Sequence, residues 1–126
     1  LDYQHSPRVT LAADSNCPEN ILNKAAGLFQ SFGKKVSLIK DIPGMVLTRT
    51  VAMLVNEASM LVEEEVADAA DINMAMKKGV NYPLGSLEWG ELWGYSAAVE
   101  TLENLFCKYG ERYRVSSWLQ QKEKLG

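Results

Sequence analysis

Cysteine and histidine are scarce in this chain: two cysteines and one histidine among 126 residues, with no CxxC pair. Cys17 and Cys107 lie far apart in the sequence, which speaks against a metal centre. Two free thiols in a reducing compartment are the plain expectation, with a single bridge between them as the alternative. Glycine is not gathered into any phosphate loop. Neither G-x-G-x-x-G nor a P-loop occurs, so the chain carries no nucleotide-binding fingerprint of its own. No apolar run approaches the length needed to span a bilayer. The opening LDYQHSPR lacks the charged-then-apolar order of a secretory leader. Charge of one sign is missing too: 13 basic against 16 acidic residues give a net charge of −3. Such a balance provides no field for nucleic acid or an anionic membrane. Neither is expected as a partner; the two free thiols fit a cytoplasmic location.

What is present is an ordinary globular composition, 47% hydrophobic, at a length that suits one domain, or one domain with a small appendage. Residues 8–14, RVTLAAD, are short and β-branched at Val9 and Thr10, which predicts a strand. SNCPEN follows, with Pro18 suited to a first helical position and Glu19 complementing the helix dipole. Ile21, Leu22, Ala25, Leu28, Phe29 and Phe32 recur at helical spacing, and Gly33 supplies a stop. KVSLIK, residues 35–40, reads as a second strand. Strand, helix and strand with short links form a βαβ unit, so the strands should be parallel. Two parallel strands normally lie inside a larger covered sheet. The chain is therefore expected to be a fragment, or its sheet edge to meet a partner.

After Pro43-Gly44 the pattern changes. Val46, Leu47, Val51, Met53, Leu54, Val55, Ala58, Leu61 and Val62 are too broad for one stripe, so this long helix should be covered on several sides. Glu63, Glu64 and Glu65 read as its solvated end, since adjacent helical carboxylates diverge and do not converge on a cation. Asp68 should cap a helix over 69–78 that stops at Gly79. Residues 80–86 form a loop punctuated by Pro83 and Gly85. Ser86 should cap a short helix ending at Gly94, Ser96 a longer one ending at Gly110, and Ser116 or Ser117 should start the last. The expected fold is mainly α: a helical bundle over 42–126, preceded by a βαβ unit over 1–41.

Few residues suggest chemistry. His5, in a short N-terminal lead close to Pro7, reads as a surface residue and not as a general base. Trp89, Trp93 and Trp118, with Tyr82 and Tyr95, lack the interleaved basic residues of a nucleic-acid platform, and Glu88 and Glu91 stand among them. Core packing or a subunit interface is the better reading. Thr48 and Arg49, just past the Pro-Gly break at a helix start, are candidate ligand contacts, with exposed polar residues as the simpler alternative. Tyr82 and Ser86 bound the loop where a second set of contacts is expected.

The order of these pieces resembles the 3-hydroxyacyl-CoA dehydrogenase family over almost the whole chain. The residues carrying the likeness run from Gly33 to Gly94: Lys40-Asp41 and Pro43-Gly44 at the turn, Asn56-Glu57-Ala58 in the long helix, then ADINMAMKKGVNYP, and Pro83, Gly85, Leu87 and Glu88. Leu105, Tyr109-Gly110, Tyr113-Arg114 and Ser116 resemble the family's closing segment. The resemblance implies a Rossmann domain that holds NAD, a helical domain that completes the acyl-CoA site and dimerises, and a His–Glu dyad acting on the 3-hydroxyl. That dyad has no counterpart here, since His5 stands too close to the first strand. The family's asparagine after Pro-Gly aligns with Thr48, whose hydroxyl cannot reproduce an amide's paired donor and acceptor. No catalytic or cofactor-binding residue is therefore expected in this chain. The pattern looks like the second half of a tandem bacterial enzyme of 3-hydroxybutyryl or 3-hydroxyadipyl type. A reduced Rossmann remnant would there precede a second helical domain that packs on the first. Implied partners are the upstream NAD-binding and first helical domains, the acyl-CoA substrate and further copies of the protein. A helical interaction module without metabolic role is the alternative.

Overall fold

A computed structural model describes residues 5–125. The chain divides into two compact units, Leu1–Met45 and Val46–Gly126.

The first unit holds strand β1 (Arg8–Ala13), helix α1 (Glu19–Ser31) and strand β2 (Lys35–Lys40). The strands pair in parallel, with Val9 opposite Val36 and Leu11 opposite Leu38, as the βαβ reading requires. Arg8 ties the pair laterally by donating from Nη1 to Ser37 Oγ at 2.7 Å. Pro18 falls one residue earlier than expected, as the N-cap of α1, with φ −60° and ψ 135°. Its carbonyl accepts from Ile21 and Leu22, so the missing proline N–H is no loss there. Gly33, at φ 74°, ends the helix in the left-handed conformation. Its N–H reaches Gln30 O and that of Lys34 reaches Phe29 O, the paired bonds that close a helix C-terminus. None of residues 5–45 is buried.

The second unit is all helix: α2 (Leu47–Glu63), α3 (Ala69–Gly79), α4 (Ser86–Trp93), α5 (Tyr95–Tyr109), a 3₁₀ turn over Glu111–Tyr113, and α6 (Ser117–Leu125). Helix α2 packs against α3, α4, α5 and α6, which explains its broad apolar circumference. Val51, Ala52 and Val55 meet Ala98, Val99, Leu102 and Leu119 in one buried cluster. Ala58, Ile72 and Leu87 form a second. Trp89, Trp93 and Trp118 are half-buried against the first cluster, in keeping with a packing role. The edge-to-face contact of Tyr95 with Trp118, centroids 5.8 Å apart, locks α5 to α6.

Several helix ends differ from expectation. Helix α2 closes at Glu64 and turns on Glu65, a non-glycine residue at φ 55°. Asp68 caps α3 as predicted, accepting from Asp71 N at 2.8 Å. That helix runs through Gly79, however, and the left-handed residue is Asn81. Ser86 and Ser96 lie inside α4 and α5, whose N-caps are Gly85 and Gly94. Cys17 and Cys107 are both free thiols. No helix among the described residues is long and apolar enough to cross a membrane.

Candidate functional site

The four candidate residues fall in two neighbourhoods of the helical unit. Thr48 and Arg49 lie in the first turn of α2, both half-buried. The Arg49 guanidinium sits over two rings, 4.8 Å from the Tyr109 centroid and 5.0 Å from that of Tyr113. Tyr109 and Tyr113 stand 5.7 Å apart and tilted, and the Arg112 guanidinium also lies over Tyr113, 5.2 Å from its centroid. A stacked guanidinium keeps its planar N–H edges free for an anion while its orientation is fixed. Tyr113 is 1% exposed, and its hydroxyl is a buried polar atom without a hydrogen-bond partner among the described residues. The Thr48 hydroxyl makes no hydrogen bond among the described residues, whereas the Thr50 hydroxyl donates to Val46 O at 2.9 Å.

The second neighbourhood is the entry to α4. Tyr82 is exposed and packs its ring 5.3 Å from that of Trp89. Ser86, by contrast, is buried at 2% exposure. The helix start is capped from another helix: Asn73 Oδ1, on α3, accepts from Leu87 N at 3.0 Å and Glu88 N at 3.4 Å. Glu88 closes the turn by accepting from Gly85 N at 2.8 Å and from Lys77 Nζ at 2.6 Å. The Lys77 bond foremost, then the Gly85 amide, hold the Glu88 carboxyl below the usual carboxylate value. A Cβ on Gly85 would collide with the side chain and backbone of Asn73, so only glycine lets α4 approach α3 this closely.

A third polar group was not singled out in the sequence. Asn56 is 1% exposed and bridges the connector before α6, donating from Nδ2 to Arg114 O at 2.9 Å and accepting from Ser116 N at 3.0 Å. The Ser59 and Ser116 hydroxyls meet at 2.6 Å beneath it, and Ser116 Oγ accepts from Leu119 N at 3.1 Å. Glu63 is more than a solvated helix end. Its Oε2 accepts from Ser117 N at 3.0 Å and Trp118 N at 3.3 Å, capping α6. Hydrogen bonding from Ser117, then from Trp118, lowers its pKa from the usual value. Met60, Glu63, Glu64 and residues 114–117 line a shallow recess of about 190 Å³ at this junction. Asn56 belongs to the Asn-Glu-Ala motif, which was the one signal in the sequence pointing to it.

Chemically, these groups cap helices, satisfy buried backbone and orient a cation. None forms a nucleophile–base pair, and no group of three His, Cys, Asp or Glu that could hold a metal occurs among the described residues. The fold thus defines a class, a helical domain preceded in the chain by a short parallel βαβ unit. Residues 44–126 match the 3-hydroxyacyl-CoA dehydrogenase C-terminal domain, and residues 1–43 match the 3-hydroxybutyryl-CoA dehydrogenase reduced Rossmann-fold domain. The 3-hydroxyadipyl-CoA dehydrogenase of Escherichia coli K12 is 46% identical over 126 residues, covering 99% of this chain and 26% of that protein. A probable 3-hydroxybutyryl-CoA dehydrogenase of Bacillus subtilis is 32% identical over 100 residues, covering 79% of this chain and 35% of its own. A crystal structure of 3-hydroxybutyryl-CoA dehydrogenase from E. coli K12 superposes with TM-score 0.87 at 45% identity, over 94% of this chain and 25% of that one. The chain belongs to the 3-hydroxyacyl-CoA dehydrogenase family. It spans about a quarter of the E. coli relative's length.

Proposed function

We propose that the chain acts as the C-terminal module of an NAD-dependent 3-hydroxyacyl-CoA dehydrogenase, an enzyme oxidising 3-hydroxyacyl-CoA to 3-oxoacyl-CoA. Its part is to pack on the first helical domain of the same polypeptide as a dimer partner would, and so to shape the acyl-CoA site. The observation carrying this reading is the match of nearly the whole chain to one quarter of the E. coli enzyme. On this reading residues 1–41 are a reduced Rossmann remnant and residues 42–126 the helical domain. The complete protein would work in the cytoplasm, as a homo-oligomer.

The residues after β1 do not fit NAD. A dinucleotide pyrophosphate rests on glycine backbone N–H groups and a helix N-terminus. Here the turn is Asp14 to Cys17, Pro18 supplies no N–H, and Glu19 sets a carboxylate in the first turn. NAD is assigned to the upstream domain for that reason, and no step of the oxidation is drawn through this chain. Thr48 and Arg49 are the proposed substrate-side positions, the arginine held ready for an anionic group by its tyrosine pair. Tyr82 flanks the α4 entry, and Ser86 acts there only through the loop it anchors.

Calorimetric titration of the isolated chain with NAD and, separately, with acetoacetyl-CoA tests the assignment. No heat with NAD is expected; saturable NAD binding would overturn it. Heat with acetoacetyl-CoA alone that Arg49→Ala abolishes would establish a direct substrate contact.

A further inference from the structure

Helix α1 carries two apolar stripes. Leu22, Ala26 and Phe29 form one, and all three are half-buried. Ile21, Ala25, Leu28 and Phe32 form the other, about 100° around the helix at 3.6 residues per turn. Its large members are open: Ile21 is 54% exposed, Leu28 57% and Phe32 70%. The spacing of this outer stripe is four, three, four. That is the narrow seam by which one helix packs along another, not the wider face a helix lays on a sheet. The sheet has the same deficit. Val9, Leu11, Val36 and Leu38 share one face by their register, while Ala12 and Ile39 share the other, and Leu38 is 52% exposed. One helix covers only one face of a sheet.

We infer that the Ile21–Ala25–Leu28–Phe32 seam is a docking face for an amphipathic helix supplied by the part of the same polypeptide outside these residues. The inference rests on the proposed place of the chain within a longer dehydrogenase and adds which surface of the remnant is engaged, and by what. Two observations select this occupant over a second copy of the chain. The E. coli relative matches 99% of the chain, βαβ unit included, yet the match is only 26% of its length, so a large body is tethered to this unit in such an enzyme. Helix α1 has only 13 residues. A seam of two to three turns buries little surface, and a tether that keeps the partner helix at millimolar effective concentration favours its docking over that of a free second copy.

The test is cysteine accessibility. Leu28→Cys is placed in a Cys17→Ser, Cys107→Ser background, once in the isolated chain and once in the long enzyme. Phe32→Cys serves as a second reporter should the first perturb α1. Maleimide labelling is expected to be at least tenfold slower in the long enzyme than in the isolated chain, at any protein concentration. Equal rates in both would overturn the docking face. Protection that grows with concentration in the isolated chain would replace the intramolecular helix by a second copy, which also overturns the inference. Oxidation of 3-hydroxybutyryl-CoA, measured on the same preparation before labelling, separates the two readings. An active enzyme with fast labelling sinks the docking face alone. A protected but inactive one upholds the docking face and sinks the dehydrogenase assignment.

Discussion

The βαβ unit and the helical unit draw on similar residues, yet they use them differently. In the helical unit twelve apolar side chains are buried, from Val51 to Leu119, and they close around α2. In the βαβ unit Ile21, Leu28, Phe32 and Leu38 are more than half exposed, and none of residues 5–45 is buried. The difference is one of layers. Five helices packed around each other bury apolar surface from several sides, whereas two strands and one helix leave a second sheet face and an outer helix stripe unopposed. Ordered secondary structure and a self-sufficient core are therefore separable properties, and this chain displays both cases side by side.

Core truncation should break the comparison most sharply. Leu102, at 0% exposure, is enclosed by the α2 cluster. Leu102→Ala should destabilise the helical unit by about 3 kcal/mol, while Leu28→Ala in the isolated chain should change stability by about 0.5 kcal/mol or less. Urea melts followed by tryptophan fluorescence and by circular dichroism would measure both. Equal losses would mean that the two units are equally cored. Next in size is Gly85→Ala, which forces α4 away from Asn73 and should cost about 2 kcal/mol. The counterpart Gly27→Ala, where a Cβ meets nothing within 4 Å, should be neutral or stabilising in the same melts.

Acid should discriminate next. Glu63 and Glu88 both have lowered pKa values in the helical unit, from the hydrogen bonds that cap α6 and α4. A depressed carboxylate adds stability that is complete above its unfolded value, about 4.3 for Glu. That stability is lost as pH falls through the folded value. The melting temperature should therefore drop between pH 5 and 3 by less in a Glu63→Gln, Glu88→Gln variant than in the parent (pH range set by about one unit around that reference). Parallel curves for the two proteins would remove the caps from the account. The smallest expected effect compares two helix ends of the same design. Gly33 and Glu65 both close their helices in the left-handed region, at φ 74° and 55°. Glu65→Gly should stabilise the helical unit by about 0.5 kcal/mol and Gly33→Ala should destabilise the βαβ unit by about 1 kcal/mol. Amide exchange at the two helix ends would register each.

Signals that depend on near neighbours in the chain were readable. The parallel βαβ order, the Gly33 stop and the Asp68 cap follow from dihedral preference and from hydrogen bonds across three residues. The family likeness was readable as well, because its motifs are ordered along the chain. Caps that arrive through space were not. Asn73 caps α4 from 14 residues away, Glu63 caps α6 from 54, and Asn56 meets Ser116 across 60. Ser86 and Ser96 looked like caps because serine often is one; instead, Ser86 is sealed inside the packing and glycines take both N-cap positions. Local preference yields wherever a neighbouring helix offers a better-placed oxygen. Candidate contacts were the least legible part, since the stacking of Arg49 on Tyr109 and Tyr113 depends on the return of α5 to the start of α2.

The Asn56 bridge bears on how the last helix comes and goes. Helix α6 spans nine residues, a length that does not sustain a helix in water by itself. Its first turn is moored to α2 by Asn56, Ser59 and Glu63, whereas Leu125 at its far end is 83% exposed. Such a helix opens from its outer end inward, like a hinged flap whose pin is the middle of α2. Loosening α2 at Asn56 would then release the whole flap at once, while trimming its tip would leave the pin untouched.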